Sequence, residues 1–200
     1  MSIKISSTGF WDSKEAHMNH GYSIPLVKWI SEYLKEDKNK QLYDFGCGIG
    51  HYLQQFEQLG FTKLIGFEGD PPVHKVFSNI KQQDLTKQFS VEEKGNCIFL
   101  EVAEHIPANL EDVTLNNVVD ACNGKLITSW AVRGQGGHGH INCLDNHEAI
   151  ERFTRRGMKY LKEDTESARS VIDGTKCDWQ PGVLGAELPW FKNTLFVFEK

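Results

Sequence analysis

The segment EVAEH, residues 101–105, places two carboxylates and an imidazole within five positions, directly after the apolar run 97–100. Such groups suit a divalent cation, being hard enough for magnesium or manganese and acceptable to zinc. They can also serve as an acid and a base in catalysis. A structural interpretation is that the acidic side chains counter the positive end of a helix that begins near Pro107, with His105 as a solvated cap.

A second polar group lies in the glycine-rich stretch 134–142, which follows a predicted strand. Flexible backbone would present His138 and His140 near the end of that strand. If residues 101–105 form one helical turn, their charged side chains project to one side and a loop histidine can converge on them. His138 is a candidate general base, because imidazole titrates near working pH, although a loop histidine facing water is an equally good interpretation. The predicted ligands of a divalent ion are Glu101, Glu104, His105 and one of the two loop histidines, with His140 preferred over His138.

A glycine-rich turn, YDFGCGIGHY at 43–52, follows a predicted strand and opens a predicted helix. Its three glycines let the backbone turn sharply and let a bulky ligand lie against main-chain atoms. Asp44 precedes the first glycine, and Glu68 closes the next strand, where a carboxylate can accept both hydrogen bonds of a ribose diol. Asp84, after the third strand, could receive an adenine amino group; the alternative for Asp84 is a turn former.

The elements that would position these groups alternate between short apolar runs and amphipathic stretches. Ser23 is a predicted helix cap with Pro25 in the first turn, and Asp145 with Glu148 fits a capping box. Strands that alternate with helices predict an α/β fold, a mostly parallel sheet with helices on both faces. The predicted strands are 42–45, 63–67, 96–100, 126–131 and 194–198, with another before Asp84, and the predicted helices are 23–34, 50–59, 72–77, 107–122 and 145–156.

The composition restricts the class of protein. With 200 residues and 40% hydrophobic content, we expect a single domain over 1–200 with its own core. A net charge of -5 does not favour a nucleic-acid partner. The five cysteines form no C-x-x-C and indicate a reducing compartment. Without a signal peptide or a membrane-spanning apolar run, we expect a soluble cytoplasmic protein.

The glycine turn together with Asp44, Glu68 and Asp84 resembles the class I S-adenosylmethionine (SAM)-dependent methyltransferase family, whose first motif is D/E-x-G-x-G-x-G. The resemblance implies a Rossmann-like sandwich of about seven strands with the last antiparallel. We expect the cofactor-binding and catalytic core over 41–200 and an N-terminal lid or cap segment over 1–22, in which His17 and His20 have no assigned role. The implied SAM-binding residues are Asp44, Gly46, Cys47, Gly48, Gly50, Glu68, Gly69, Asp84, Leu85 and Glu101.

The E-x-x-E-H segment that follows the predicted strand 96–100 is similar to the metal-binding segment of small-RNA 3′-terminal 2′-O-methyltransferases and ubiquinone-pathway O-methyltransferases. Over nearly the whole chain, the segments HMNH, LEVAEHIP, SWAVRGQGGHGHIN and WFKNTLFVF look like the small methyltransferases of bacterial and large-virus glycan loci, stand-alone or fused to glycosyltransferases. The match most resembles the methyltransferase domain of a multidomain chlorovirus glycan-building protein. This resemblance implies a sugar hydroxyl as acceptor, such as that of a terminal rhamnose or another deoxyhexose, and glycosyltransferases as partners.

Three other functions remain open. A metal-independent enzyme of this fold could methylate a small molecule, with His105 as a simple base. An RNA or protein methyltransferase could share the E-x-x-E-H segment, although the net charge and the lack of a basic stripe beyond 152–159 argue against it. A module that binds the cofactor without catalysis is the non-enzyme alternative.

Overall fold

The strands form a large sheet and a separate two-stranded sheet. The computed structural model describes residues 4–11, 21–71, 75–178 and 185–200. The strands are β1 (Tyr22–Ser23), β2 (Gln41–Phe45), β3 (Lys63–Glu68), β4 (Ile80–Gln82), β5 (Gly95–Phe99), β6 (Cys122–Ser129), β7 (Lys159–Tyr160), β8 (Gly185–Ala186) and β9 (Leu195–Glu199).

The helices pack on both faces of the large sheet, and two of them begin at caps that the sequence predicts. Ser23 caps the first helix by accepting a hydrogen bond from the Leu26 N–H. The Asp145 N–H donates to Glu148 at 2.9 Å, the reciprocal bond of a capping box. The helices are α1 (Ile24–Tyr33), α2 (His51–Gln58), α3 (Glu111–Ala121), α4 (Asn146–Thr154), α5 (Lys162–Ser170) and α6 (Phe191–Thr194), with 3₁₀ turns at Lys35–Asp37 and Ala103–His105.

The large sheet has the strand order β4-β3-β2-β5-β6-β9-β7. The strands from β4 to β6 in that order are parallel, and β9 runs antiparallel to both of its neighbours. The predicted α/β fold with a mostly parallel seven-stranded sheet and an antiparallel last strand is confirmed. From β2 the chain adds β3 and β4 on one side, and then β5 and β6 on the other, so β2 and β5 flank a topological switch point. In such sheets, ligands bind in the crevice that this point leaves at the carboxyl ends of the strands.

Alternate residues of each strand supply two hydrophobic layers, one on each face of the sheet. Leu42 and Ile98 belong to the layer that contains α1, α2 and α5 residues. Tyr43 and Cys97, their neighbours along the chain, belong to the layer that α3 and α4 cover. The central strands β2 and β5 are buried along their whole length, which fixes the relative positions of their carboxyl ends.

The structure differs from the predicted elements around the candidate metal segment. The predicted helix 107–122 begins only at Glu111, because Pro107 opens a turn whose carbonyl accepts the Leu110 N–H at 2.8 Å. Cys122 starts β6 instead of ending the helix, and β6 stops at Ser129 rather than residue 131. Of the predicted short helix 72–77, residues 72–74 lie outside the described residues, and residues 75–77 are not helical.

The N-terminal part of the predicted lid is a tight turn over residues 4–11. Ile5 pairs with Trp11 in an isolated antiparallel bridge, and the Ser6 N–H donates to the Phe10 carbonyl at 2.9 Å. His17 and His20 lie outside the described residues. Within the described ranges, no helix combines the length and apolar character needed to cross a membrane.

Candidate active site

The turn after β2 has the backbone shape that its glycines predict. Gly46, Gly48 and Gly50 have positive φ angles of 77°, 55° and 92°, a region that other residues rarely adopt. A Cβ on Gly46 would lie 2.4 Å from Val102, and one on Gly50 would lie 2.6 Å from Phe77. The turn therefore requires glycine both for its conformation and for the space beside it.

Glu68, at the end of β3, is fixed by backbone amides. Its Oε2 accepts the Gly48 N–H at 2.9 Å and its Oε1 accepts the Gly69 N–H at 2.7 Å. Burial raises the pKa of Glu68, and these amides act in the opposite direction. The carboxylate thus stands at the strand end with a defined orientation beside the glycine turn.

Asp44, at the carboxyl end of β2, is 4% exposed, and its Oδ2 has no hydrogen-bond partner among the residues that the structure describes. Burial, followed by the nearby Glu68 charge, raises the pKa of Asp44 to about 8. A buried carboxyl oxygen without a partner is costly, so this position suits a ligand that donates a hydrogen bond or brings a positive charge.

Asp84 forms a local turn. Its Oδ1 accepts the Thr86 N–H at 3.0 Å and the Thr86 hydroxyl at 2.6 Å. This arrangement is the turn-forming alternative for Asp84. Asp84 and Leu85 nevertheless line the cavity described below, so the adenine contact stays a prediction.

Among the residues that the structure describes, Glu101 is the single non-glycine residue with a positive φ angle, 56°. Its backbone and its side chain both bond to Ser129: the Glu101 N–H donates to Ser129 Oγ at 2.7 Å, and the Ser129 hydroxyl donates to Glu101 Oε1 at 2.8 Å. Burial raises the pKa of Glu101 to about 7. A backbone conformation of this kind stores strain and is concentrated at functional sites.

Three of the four predicted metal ligands converge. The ligand atoms of Glu104, His105 and His140 all lie within 4.8 Å of one another, and Glu101 is outside this group. Glu104 is 0% exposed, and neither of its carboxylate oxygens has a hydrogen-bond partner among the described residues. Burial, and then the Glu101 charge, raise the pKa of Glu104 well above its usual range. We call Glu104, His105 and His140 the ion cluster.

The orientation of His105 fits coordination by its other nitrogen. His105 Nδ1 lies 3.2 Å from the Gly139 carbonyl oxygen, so an Nδ1–H donor leaves the lone pair on Nε2. Metal-binding histidines are commonly oriented by such a bond to a backbone carbonyl. His140 Nε2 lies 3.9 Å from Glu104 Oε1, and burial lowers the pKa of His140, which favours the neutral, ligating form.

A cavity of about 520 Å³ connects the glycine turn to the ion cluster. This volume is in the range of small-molecule sites. Three of the predicted site residues do not line this cavity: Gly48, Gly50 and Glu104. Gly48 donates to Glu68, and Gly50 packs against Phe77. Glu104 is covered by the histidines that line the cavity. His138 lines the cavity, with its ring centroid 5.7 Å from that of Trp11.

One residue of this wall was not predicted from the sequence. His51, the first residue of α2, is 4% exposed, lines the cavity and has an Nε2 without a hydrogen-bond partner among the described residues. Its place directly after the third glycine was the available signal. The turn 4–11 also lines the cavity: Phe10 packs on Gly69, and a Cβ on Gly9 would lie 2.3 Å from the His105 carbonyl oxygen.

Comparison with known proteins identifies the fold. No family model matches the sequence, and no curated protein matches it significantly. Magnesium protoporphyrin IX methyltransferase from Synechocystis PCC 6803, solved with bound SAM, is similar over 94% of this chain and 82% of its own, at 14% identity and a TM-score of 0.56. The chain has the class I methyltransferase fold.

Two further structures show how widely this fold is used. The cyclase SpnF covers 100% of this chain and 98% of its own at 12% identity, with a TM-score of 0.63. The methyltransferase domain of a bacterial Hen1 protein covers 86% and 95% at 16% identity, with a TM-score of 0.55. Because proteins of different activity share this fold, the fold does not identify the reaction, which depends on the residues of the site.

Proposed function

We propose that the protein is a SAM-dependent O-methyltransferase that acts on a sugar hydroxyl with the help of a divalent ion. The observation that supports it most is the ion cluster: a fully buried carboxylate with both oxygens unpartnered among the described residues, beside two imidazoles, at the wall of a cavity that begins at the glycine turn. A buried carboxylate without partners is costly, and a cation bound beside it would compensate for that cost.

The residues around the glycine turn fit SAM. The turn lets the backbone approach a ligand, and Asp44 presents a buried oxygen suited to an ammonium group. Backbone amides fix Glu68, whose carboxylate oxygens have further lone pairs that would accept the hydrogen bonds of a ribose diol. His51 flanks the same turn and is suited to a carboxylate, since an imidazole N–H can donate to it. When bound, SAM supplies a methyl group attached to a positively charged sulfur.

At the other end of the cavity, Glu104, His105 and His140 would hold magnesium or manganese. A divalent ion lowers the pKa of a hydroxyl that it binds and fixes its position, which matters because a neutral alcohol is a poor nucleophile. His138 accepts the proton that leaves the acceptor hydroxyl. Glu101 lines the cavity but lies outside the ion cluster, so we propose for it only the contact with the cofactor. The choice of a sugar, and of glycosyltransferases as partners, rests on the sequence resemblance.

The test is methyl transfer to a panel of synthetic glycans, followed by mass spectrometry. Protein stripped with a chelator should methylate no sugar, and magnesium or manganese should restore activity. Full activity in the metal-free enzyme would falsify the role of the ion and favour the metal-independent small-molecule enzyme. A panel without methylated sugar, from a protein that binds SAM, would contradict the acceptor class.

A matched pair of variants assigns the ion to the cluster. His140→Asn should lose the metal dependence together with most of the activity, whereas the exposed His147→Ala should behave as the wild type. If both variants keep metal-dependent turnover, the ion binds elsewhere.

A further inference from the structure

The loop that supplies His140 is attached to the ion cluster by its next two residues. The N–H groups of Ile141 and Asn142 both donate to the backbone carbonyl of Glu104, at 3.0 and 2.9 Å. Ahead of them the start of the loop is loosely packed, since a Cβ on Gly134 or Gly136 would meet nothing within 4 Å, whereas the Gly139 carbonyl oxygen lies 3.2 Å from His105 Nδ1. The position of His140 therefore depends on the contact of Gly139 with His105 on one side and on how residues 141 and 142 are held on the other.

Asn142 is held from the side of α3. It is 8% exposed, and its Nδ2 donates to Glu111 Oε2 at 3.0 Å. The other oxygen of Glu111, Oε1, accepts the Arg152 Nε–H at 2.6 Å, and the Asn142 carbonyl accepts the Trp130 indole N–H at 2.6 Å. Glu111 is itself buried, at 7% exposure, so this hydrogen-bonded pair is largely shielded from water.

We propose that Asn142 and Glu111 are positioning residues for the ion cluster: their side-chain hydrogen bond holds the loop against Glu104 and so keeps His140 at coordinating distance. The inference rests on the proposed function. Neither residue is among the predicted ligands, and neither is in the ion cluster. Partners that orient a ligand from outside the coordination shell commonly change metal affinity by about 10- to 100-fold when they are lost.

A pair of substitutions separates this role from general stability. Asn142→Asp replaces the donor by a carboxylate that faces the Glu111 carboxylate, so the contact becomes repulsive. Adding Glu111→Gln reverses the polarity of the contact: the new amide at position 111 can donate to the new carboxylate, while its carbonyl can still accept from Arg152. The double variant has the shape and net charge of the wild type.

Two readouts on cofactor-free protein test the proposal. In calorimetric titration with Mn²⁺, Asn142→Asp should bind about 10- to 100-fold more weakly, and the double variant should recover most of the loss. In ion-free protein, hydrogen exchange of the Ile141 and Asn142 amides should be faster in Asn142→Asp and slow again in the double variant. Glu151→Gln, which breaks the exposed ion pair with Arg155 at the end of α4, is the control and should change neither readout.

The outcomes are distinct. Wild-type Mn²⁺ affinity in Asn142→Asp would overturn the positioning role, as would a double variant that regains amide protection without regaining affinity. A wild-type protein that binds no Mn²⁺ contradicts the ion cluster and the proposed function, and with them this role. The exchange rates would then still show whether Asn142 attaches the loop to Glu104.

Discussion

At the scale of single residues, the charge state of Glu104 depends on whether a cation is bound between it and the two histidines of the ion cluster. Without a cation, burial favours the protonated carboxyl, as the raised pKa of Glu104 indicates. With a cation, the ionised carboxylate becomes a ligand and its desolvation is compensated. Binding of the ion should therefore release a proton.

Glu104→Gln separates ion binding from stability. In ion-free protein the variant should be as stable as the wild type or more stable, because it replaces a buried ionisable group by a neutral amide of similar shape. Its Mn²⁺ affinity should fall by about 100-fold or more, beyond the loss of an outer-shell partner. Calorimetric titration and urea unfolding check the two effects. A large loss of stability together with unchanged affinity would contradict the assignment.

His51→Ala tests the cofactor end of the cavity. S-adenosylhomocysteine should bind roughly 10- to 100-fold more weakly, as expected when a hydrogen bond to a charged group is lost. The analogue of S-adenosylhomocysteine that lacks the carboxylate and keeps the amine should bind both proteins equally. Calorimetry with both ligands makes the comparison. An equal loss for the two ligands would show that His51 does not contact the carboxylate.

The residue types of the site were predictable from spacing, but their partners were not. E-x-x-E-H and the paired loop histidines identified all three members of the ion cluster. The separate position of Glu101 depends on Ser129, 28 residues away on β6, and on a positive φ that no spacing indicates. Asp84 accepts a hydrogen bond from Thr86 within its own turn. The sequence allowed either this turn or a contact with adenine.

At the scale of elements, the turn between β2 and α2 determines where the cofactor can lie. Gly46→Ala should destabilise the protein by about 1–3 kcal/mol, because the left-handed conformation is strained for alanine and its Cβ would collide with Val102. Gly136→Ala is the control: that glycine has open space and no positive φ, so the change should be neutral or stabilise by about 0.4–1 kcal/mol. Urea unfolding compares them, and equal stabilities would refute the steric argument.

Helices with strong end signals were predictable, and those without them were not. α1 and α4 begin at caps that the sequence shows. α5 escaped prediction because its buried side chains are the small Thr165 and Ala168, which leave no apolar periodicity to recognise. The late start of α3 follows from the turn at Pro107, where proline suits either a turn or a first helical residue.

At the scale of the whole molecule, buried carboxyls make stability depend on pH. The pKa of Asp44 is raised from 3.8 to about 8, so the folded protein retains a proton that the unfolded chain loses above pH 4. Stability from this group is complete below that pH and is lost as the pH rises to about 8. Asp44→Asn should therefore weaken the fall in unfolding free energy between pH 5 and pH 8 in ion-free protein. The exposed Asp120→Asn serves as control, and identical pH slopes in all three proteins would contradict the assignment.

The complete burial of Glu104 also has a kinetic consequence. The side of the ion that faces the cavity can be reached by a chelator, but Glu104 is 0% exposed and lies outside the cavity lining, so the bond to Glu104 should be released only when the loop that bears His140 moves aside. The release of the ion should therefore be limited by a rare opening of the protein. Stopped-flow measurements should show ion loss at a rate that becomes independent of chelator concentration, so the protein would retain its metal through brief exposure to competing ligands. A rate that keeps rising in proportion to chelator would show that the site is open to solvent.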